Sequence, residues 1–532
     1  MELAAEFPPV TRADWQQLAL SVLRRSGLEL DDLSSPTYDG LTLLPLYDDR
    51  PAGGRFTRSA RGWDVRQRHA VPDPEAVLAD LENGVTSLWL VVGDDAIPVG
   101  ELPRVLAGVY LDLAPIVLQA GPRTAEAARA LLALAAGRGV QVTGNLGAGP
   151  GPGTAELARR CVAEHPGLRA VTVDATPYHD AGGGDAQELG CSLALGVAHL
   201  RELTAAGLDI GQALGQLEFR YAATADQFAT IAKLRAARRV WARVAEVCGG
   251  PGEQAQHAVT SSAMMTARDP WVNMLRTTLA CFAAGAGGAD AVTVQPFDAA
   301  LGLPDGFARR IARNTQSLLL EESGVGRVID PAGGSFYVEH RTAELAERAW
   351  AFFQELQGAG DGWQALAAGR VAATRERRAA DVAHRRVPIT GVSEFPAVGE
   401  TPVRREGGAE AGLAVLPFAD DPAQTPADEA LSADLPPCGT RRRSSGCVTR
   451  PTRCPSGRWS SWPRSARSPR TPRGPRSPPT SSRRAAWTPA PLARGPTPRP
   501  SPTRSPRAAR GWPACAQPTS STPSTRKPWP PR

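Results

Sequence analysis

Short runs rich in β-branched residues recur along this chain, separated by longer helical patterns, and that alternation constrains the fold more than any other feature. The runs are "VTSLWLVVG" (85–93), "APIVLQAG" (114–121), "GVQVTGN" (139–145), "RAVTVDAT" (169–176), "LEFRYAA" (217–223), "HAVTSS" (257–262), "ADAVTVQ" (289–295) and "GRVIDP" (326–331). Between them lie Ala- and Leu-rich stretches with helical spacing, such as "TAEAARALLALAAGRG" and "DQFATIAKLRAARRVWARVAEV". A helix after each strand carries the chain back to the start of the next, so successive strands pair in parallel. A doubly wound open sheet gives the same alternation, but eight units favour closure into a (β/α)8 TIM barrel.

The net charge of +6 conceals two unlike parts. Residues 438–532 hold 21 Lys and Arg and no acidic residue, which leaves 39 basic and 54 acidic residues, a net of −15, in the first 437. All but Val448, Leu492, Gln517 and Lys527 of that tail are Ser, Pro, Thr, Ala, Arg, Gly, Cys or Trp. Those eight types are encoded by codons with C or G in second position. A GC-rich gene read in a shifted frame gives this composition, so a frameshift is expected near Pro436–Cys438. A basic arm for nucleic acid would mix Lys with Arg and would rarely carry five Trp and four Cys, so that reading is disfavoured. With few aliphatic residues and 21 prolines the tail cannot bury enough apolar surface to fold, and disorder is predicted.

The rest reads as an acidic globular chain. No run of about 18 uncharged apolar residues suggests a membrane span. The start, "MELAAEFPPVTRADWQQLAL", lacks the basic and apolar regions of a signal peptide, so a cytoplasmic location is expected. Cys161, Cys191, Cys248 and Cys281 stand singly and read as buried reduced thiols.

A barrel places its site at the carboxyl ends of the strands. Candidates there are Asp94, Asp95, Asn145, Tyr178, His179, Tyr221, Thr260 to Ser262, Gln295 to Asp298 and Asp330 to Ser335. They contain no metal triad, no Ser-His-Asp grouping and no pair of glutamates on adjacent loops. His179, in "YHDAGGG" (178–184), has only Asp174 and Asp180 nearby in sequence. Two readings stay open for it: a loop histidine bracing the next helix, and a catalytic or substrate contact. "AGPGPGTAELARR" (148–160) is either a flexible strand–helix connection or a phosphate cradle without the Lys-Ser/Thr ending of a P-loop. "RNTQ" (313–316) is either a buried polar network or a surface patch.

The stretch 261–350, with "SSAMMTARDPWVNMLRTTLACFAAGAGGADAVTVQPFDAALGLPDGFARRIARNTQSLLLEESGVGRVIDPAGGSFYVEH", closely resembles the adenosylcobalamin-dependent acyl-CoA mutases, methylmalonyl-CoA mutase above all. "GWDVRQ" (62–67), "PYHDAGGGDAQELGCSLALGVAHLREL" (177–203) and "IAKLRAARRVWARV" (231–244) support the likeness, which covers roughly residues 36–375. The resemblance implies a (β/α)8 barrel over 36–375 after an N-terminal helical arm (1–35). It also implies a linker (376–437) leading to a flavodoxin-like cobalamin domain, here missing and replaced by the tail (438–532). In the family the cofactor supplies carbon–cobalt homolysis and the protein shields the radicals while methylmalonyl-CoA and succinyl-CoA interconvert. The resemblance places His179 at the position that touches the thioester carbonyl, beside Tyr178, and Arg61, Gln67 and Gln295 at the substrate pocket.

The chain departs from the catalytic pattern. Catalytic chains follow "RPWTIRQ" with a radical-steering tyrosine, where Arg68 stands here. Their "HTQSLHTN..DEA" stretch meets the cofactor, and this chain has "GADAVTVQPFDAA", with Gly288, Asp290, Thr293, Gln295 and Ala299 in place of those polar groups. None of the seven histidines sits in the "D-x-H-x-x-G" loop that ligates cobalt. The resemblance thus points to the small, non-catalytic subunit of heterodimeric members of the family. Tyr178 and His179 are then remnants, with no metal and no cofactor on this chain. Adenosylcobalamin would be bound by a large catalytic partner subunit, which also handles the acyl-CoA. The alternative is a self-acting acyl-CoA mutase chain whose cobalamin rides on a separate protein.

Overall fold

The computed structural model describes residues 10–49, 51 and 62–406. The tail (438–532), its predicted disorder and frameshift, and the second half of the 376–437 linker lie outside the described residues.

Eight parallel strands close into a barrel: β1 (Asp64–His69), β2 (Ser87–Val91), β3 (Ile116–Gln119), β4 (Gly144–Ala148), β5 (Leu168–Asp174), β6 (Leu217–Ala223), β7 (Ala255–Thr260) and β8 (Ala291–Thr293). They follow one another in sequence order, and Val292 pairing with Val65 joins β8 to β1. This is the predicted (β/α)8 barrel. Seven of the expected runs contain a strand. The eighth, "GRVIDP", does not: it is a 3-10 turn at Val325–Arg327 followed by exposed Val328 and Ile329. Its place in the count is taken by "DVRQRH", which carries no apolar alternation because its inward positions are the charged Arg66 and Arg68.

The helices are α1 (Arg12–Ser26), α2 (Pro74–Glu82), α3 (Leu102–Val105), α4 (Thr124–Arg138), α5 (Thr154–Glu164), α6 (Thr176–Asp180) and α7 (Asp185–Ala205). They continue with α8 (Ile210–Gly215), α9 (Gln227–Cys248), α10 (Val272–Ala286), α11 (Gly306–Ser317), α12 (Phe336–Gly358) and α13 (Trp363–Ala383). Local signals set their ends. Asp226 caps α9 by accepting from Ala229 N at 3.0 Å, and Gly249 closes it at φ +76. None of the described helices is long and apolar enough to cross a membrane.

Strand alternation divides the interior in two. Leu88, Leu90, Ile116, Leu118, Val171, Val173, Phe219 and Tyr221 point outward into one continuous core beneath the helices. Trp89, Val117 and Val259 form a separate cluster inside the barrel. Cys161, Cys191 and Cys281 are buried as expected, whereas Cys248 is exposed at the end of α9. "RNTQ" on α11 belongs to a buried network: Arg313 pairs with Asp80, and Gln316 accepts from Trp63 Nε1 at 3.0 Å. Residues 149–153 simply connect β4 to α5. α1 occupies the predicted N-terminal arm, and α13 runs past residue 375. The last described residues tie back to the barrel through Arg405, which pairs with Asp298 and Asp305.

Candidate functional site

Charged residues occupy the inward positions of several strands, and they pair with one another. Arg66 on β1 bonds Glu218 on β6, whose other oxygen accepts from Asn145 Nδ2 at 3.2 Å. One turn up the barrel, Arg220 donates to Asp174 Oδ2 at 2.7 Å and to His257 Nδ1 at 3.2 Å. That bond makes Nδ1 the acceptor, so Nε2 carries the proton and donates to Thr293 Oγ1 at 2.8 Å. Burial, then the charges of Arg66 and Arg220, hold His257 far below its ordinary pKa. The Arg220 guanidinium lies 4.1 Å from the centre of the Trp89 ring, with Arg68 5.5 Å from it. The centre of the barrel is therefore filled by side chains.

Above this plug, at the carboxyl ends of the strands, is a narrow cleft lined by Arg68, Trp89, Thr176, Ser261, Ser262 and Gln295 among others. Gln295 donates to the Thr260 carbonyl and to Ser262 Oγ at 2.9 Å, which fixes the loop after β7 against the loop after β8.

His179, on α6, lies behind Ser261. Its Nε2 is 2.7 Å from Ser261 Oγ, and its Nδ1 is 3.6 Å from Glu188 Oε2 on α7. Lys233 on α9 completes the cluster, 2.6 Å from Glu188 and 3.0 Å from Asp185. Glu188 also accepts from Ala222 N at 2.7 Å, so the cluster is anchored to β6. Burial opposes the Lys233 charge, but Asp185 and Glu188 outweigh it and raise its pKa above the usual lysine value. Burial raises Glu188 to about 7, against the pull of Lys233. Burial and the Lys233 charge lower His179 to about 3, so it is a neutral imidazole at physiological pH and not a ready proton donor. His179, Asp185 and Glu188 could bring three ligand atoms within 4.8 Å of one another, but the Lys233 ammonium already acts as the cation there.

The depressed His179 pKa makes stability depend on pH. Between pH 6.5 and about 3 the unfolded chain binds a proton that the folded chain rejects, so stability is full above 6.5 and falls as pH drops through that window. Relative to His179→Gln, the wild type should lose about 1–2 kcal/mol between pH 7 and pH 5, read from urea unfolding at the two pH values. Parallel pH profiles for the two proteins would mean that this imidazole is solvated.

The structure brings together only some of the residues singled out from the sequence. Arg68 and Gln295 line the cleft. His179 reaches it only through Ser261, and the Tyr178 ring belongs to the core outside the barrel. Gln67 alternates with inward-facing Arg66 and Arg68, and so points to the helical layer. Thr293 is inside the barrel on His257, and Ala299 packs with Met265 and Ala300 beyond β8. Gly288 and Asp290 precede β8 and so stand at the opposite, amino end of the barrel, where Asp290 accepts from Gln256 N at 2.8 Å. Arg61 lies outside the described residues. Sequence reading missed Trp89, Glu218, Arg220, His257, Glu188 and Lys233. The signal for two of them was available in "LEFRYAA", where Glu218 and Arg220 alternate with Leu217, Phe219 and Tyr221.

The methylmalonyl-CoA mutase family profile matches residues 153–406. The chain is 55% identical over 464 aligned residues to "Methylmalonyl-CoA mutase small subunit" of Streptomyces virginiae, covering 78% of this chain and 75% of that protein. It is 44% identical to "Probable methylmalonyl-CoA mutase small subunit" of Mycobacterium bovis, with 74% of each chain covered. It is 38% identical to the small subunit from Propionibacterium freudenreichii subsp. shermanii, over 75% of this chain and 70% of that one. With a closed eight-stranded barrel and this breadth of identity, the chain belongs to the methylmalonyl-CoA mutase family, a family of isomerases.

Proposed function

We propose that this chain is the non-catalytic small subunit of a heterodimeric methylmalonyl-CoA mutase, supporting a large subunit that binds adenosylcobalamin and interconverts methylmalonyl-CoA and succinyl-CoA. The observation that carries this reading is the occupied barrel centre. Arg68, Trp89 and Arg220 stack inside the barrel, in a chain most of whose length aligns with small subunits.

The family is cobalamin-dependent, and the described residues of this chain do not fit the cofactor. A cobalt ligand must be a neutral, accessible imidazole. His179 has Nε2 engaged by Ser261, and His257 is bonded at both nitrogens inside the barrel. His69 and His199 are buried, His340 is held by Asp49 at 2.9 Å, and His165 and His384 contact Gln141 and the Ala380 carbonyl. No step of the radical chemistry is therefore assigned to this chain. A self-acting chain would need the cleft to admit acyl-CoA beneath a corrin, and no described feature favours that.

The test is affinity purification of the tagged full-length chain from its native host, with partners identified by intact mass. Recovery of a full-length mutase chain in a one-to-one ratio is the expected result. Recovery of the chain alone, or with a small cobalamin-binding protein, would overturn the proposal.

A further inference from the structure

We propose that the large mutase subunit docks on an apolar face built from α10, the start of α11 and the loop 392–399. This rests on the reading of the chain as a small subunit and adds the surface through which it meets its partner.

The loop is the starting point. Phe395 and Val398 are 85% and 90% exposed, more than any other large hydrophobic side chain among the described residues. The loop that carries them is nevertheless tied down at both ends. Before it, Arg276 on α10 donates to the Thr390 carbonyl at 2.6 Å. After it, Asp269 N donates to Glu400 Oε1 at 2.9 Å. Its first turn is closed by Ile389 N donating to Ser393 Oγ at 2.8 Å and Gly391 N donating to the Glu394 carbonyl at 2.7 Å. Phe395 itself has a left-handed φ of +51, which a bulky side chain adopts only under constraint. Strain of this kind is held in place by the surrounding structure and collects at functional positions. Here it presents an aromatic ring to solvent from an anchored turn.

The loop stands beside an apolar stripe. Trp271, Leu275 and Leu279 recur every four residues along the outer face of α10, all exposed, with Leu275 at 67%. Trp271 is two residues from the Asp269 anchor, and its ring stacks on Phe297 with centroids 4.9 Å apart. Phe307 on α11 packs edge-on against the same Phe297 ring at 6.1 Å and is itself partly exposed. With roughly 150–250 Å² to each aromatic side chain, the exposed fractions of these six residues leave on the order of 700 Å² of apolar surface. The largest apolar patch of an ordinary monomer is about 300–600 Å², and a standard interface covers about 800 Å² on each partner. The face is therefore the size of a subunit contact, and Trp271, Phe307 and Phe395 are the kind of aromatic anchors that carry such contacts.

Capture of the mutase chain by the tagged full-length protein, carrying Phe395→Gly or Leu275→Asp, tests the surface. Glycine accepts a left-handed φ, so Phe395→Gly should unfold in urea close to wild type while recovering less than about a tenth as much mutase chain. Leu275→Asp should show the same loss. Tyr110→Asp, exposed at 74% ahead of β3 on another side of the barrel, should recover the wild-type amount. Undiminished recovery by both face variants would overturn this surface and leave the small-subunit reading standing, whereas a wild-type chain that captures no mutase chain would overturn both. Two other occupants have their own signatures, and each would also overturn the proposal. A dimer of the isolated chain that the variants dissolve in size-exclusion chromatography would assign the face to a second copy. Earlier urea unfolding of Leu275→Asp with undiminished capture would assign it to this chain's own residues beyond 406.

Discussion

Exchange of Lys233 for methionine is expected to cost about 3–5 kcal/mol of unfolding free energy at pH 7, the usual penalty for removing one partner of a buried ion pair. Lys233 and Glu188 are both wholly excluded from solvent. Methionine fills most of the lysine volume, so the loss isolates charge from packing. Without the ammonium, Asp185 and Glu188 face each other and His179 with nothing positive between them. Glu188, already raised to about 7 by burial, must then take a proton to stay inside. An acid whose folded pKa is raised binds a proton in the folded state while the unfolded chain stays ionised, so folding is favoured as pH falls. The deficit of Lys233→Met should therefore shrink between pH 7 and pH 5. A second change, Glu188→Gln, should restore much of the loss at pH 7, because an amide can keep the Ala222 N–H contact without a charge. The checks are urea unfolding of the single and double variants at both pH values. A single-variant cost below about 1 kcal/mol would mean that the ammonium is solvated rather than holding α7 and α9 together.

How much of this was legible in the sequence depends on what each residue faces. Strands whose outward positions are apolar and whose inward positions are small, as in "RAVTVDAT", announce themselves by alternation, and the structure places β5 there. β1 was invisible for the same physical reason that makes it distinctive: Arg66 and Arg68 occupy its inward positions, and their burial becomes affordable only through Glu218 and the Trp89 face. Those partners lie on β6 and β2, far away in sequence, so no local pattern could show them. "GRVIDP" misled because Val328 and Ile329 look like core residues, yet both are exposed. The same limit hid the cluster around His179. Glu188 and Lys233 sit on amphipathic helices where a single charge reads as solvent-facing, and only the closure of the barrel brings α7 and α9 to one point behind the cleft. His179 could be flagged as a residue of interest from its place after β5, but its neutral state follows from three elements that the sequence does not connect.

Gly147→Ala is expected to destabilise the fold by about 4 kcal/mol, from strain at a left-handed backbone plus overpacking against a neighbouring strand. Gly147 lies on β4 at φ +70, and a Cβ built on it would run into the Leu118 carbonyl on β3. The obstacle is backbone in the barrel wall, so it cannot swing aside as a side chain would. Gly144, at φ +126, meets the Ile116 carbonyl in the same manner, and together the two glycines let β4 close tightly on β3. On its other side, the pairing of β4 with β5 shifts register between Asn145 and Ala148, and Asn145 Oδ1 accepts from Gly147 N at 2.8 Å. That irregularity aims the Asn145 amide inward, where it bonds the Val171 carbonyl at 3.0 Å and Glu218, which in turn holds Arg66. Pushing β4 outward at Gly147 would thus loosen the charge pairs that plug the barrel as well as the wall itself. Gly153→Ala is the control, since Gly153 also has a left-handed φ of +95 but nothing within 4 Å of its missing Cβ. It should cost only about 1 kcal/mol, the conformational part alone. Equal costs for the two variants in urea unfolding would show that β3 yields without resistance. A cost at Gly147 several times larger would show that the barrel wall is rigid where Asn145 anchors it, which is what a centre filled with paired charges requires.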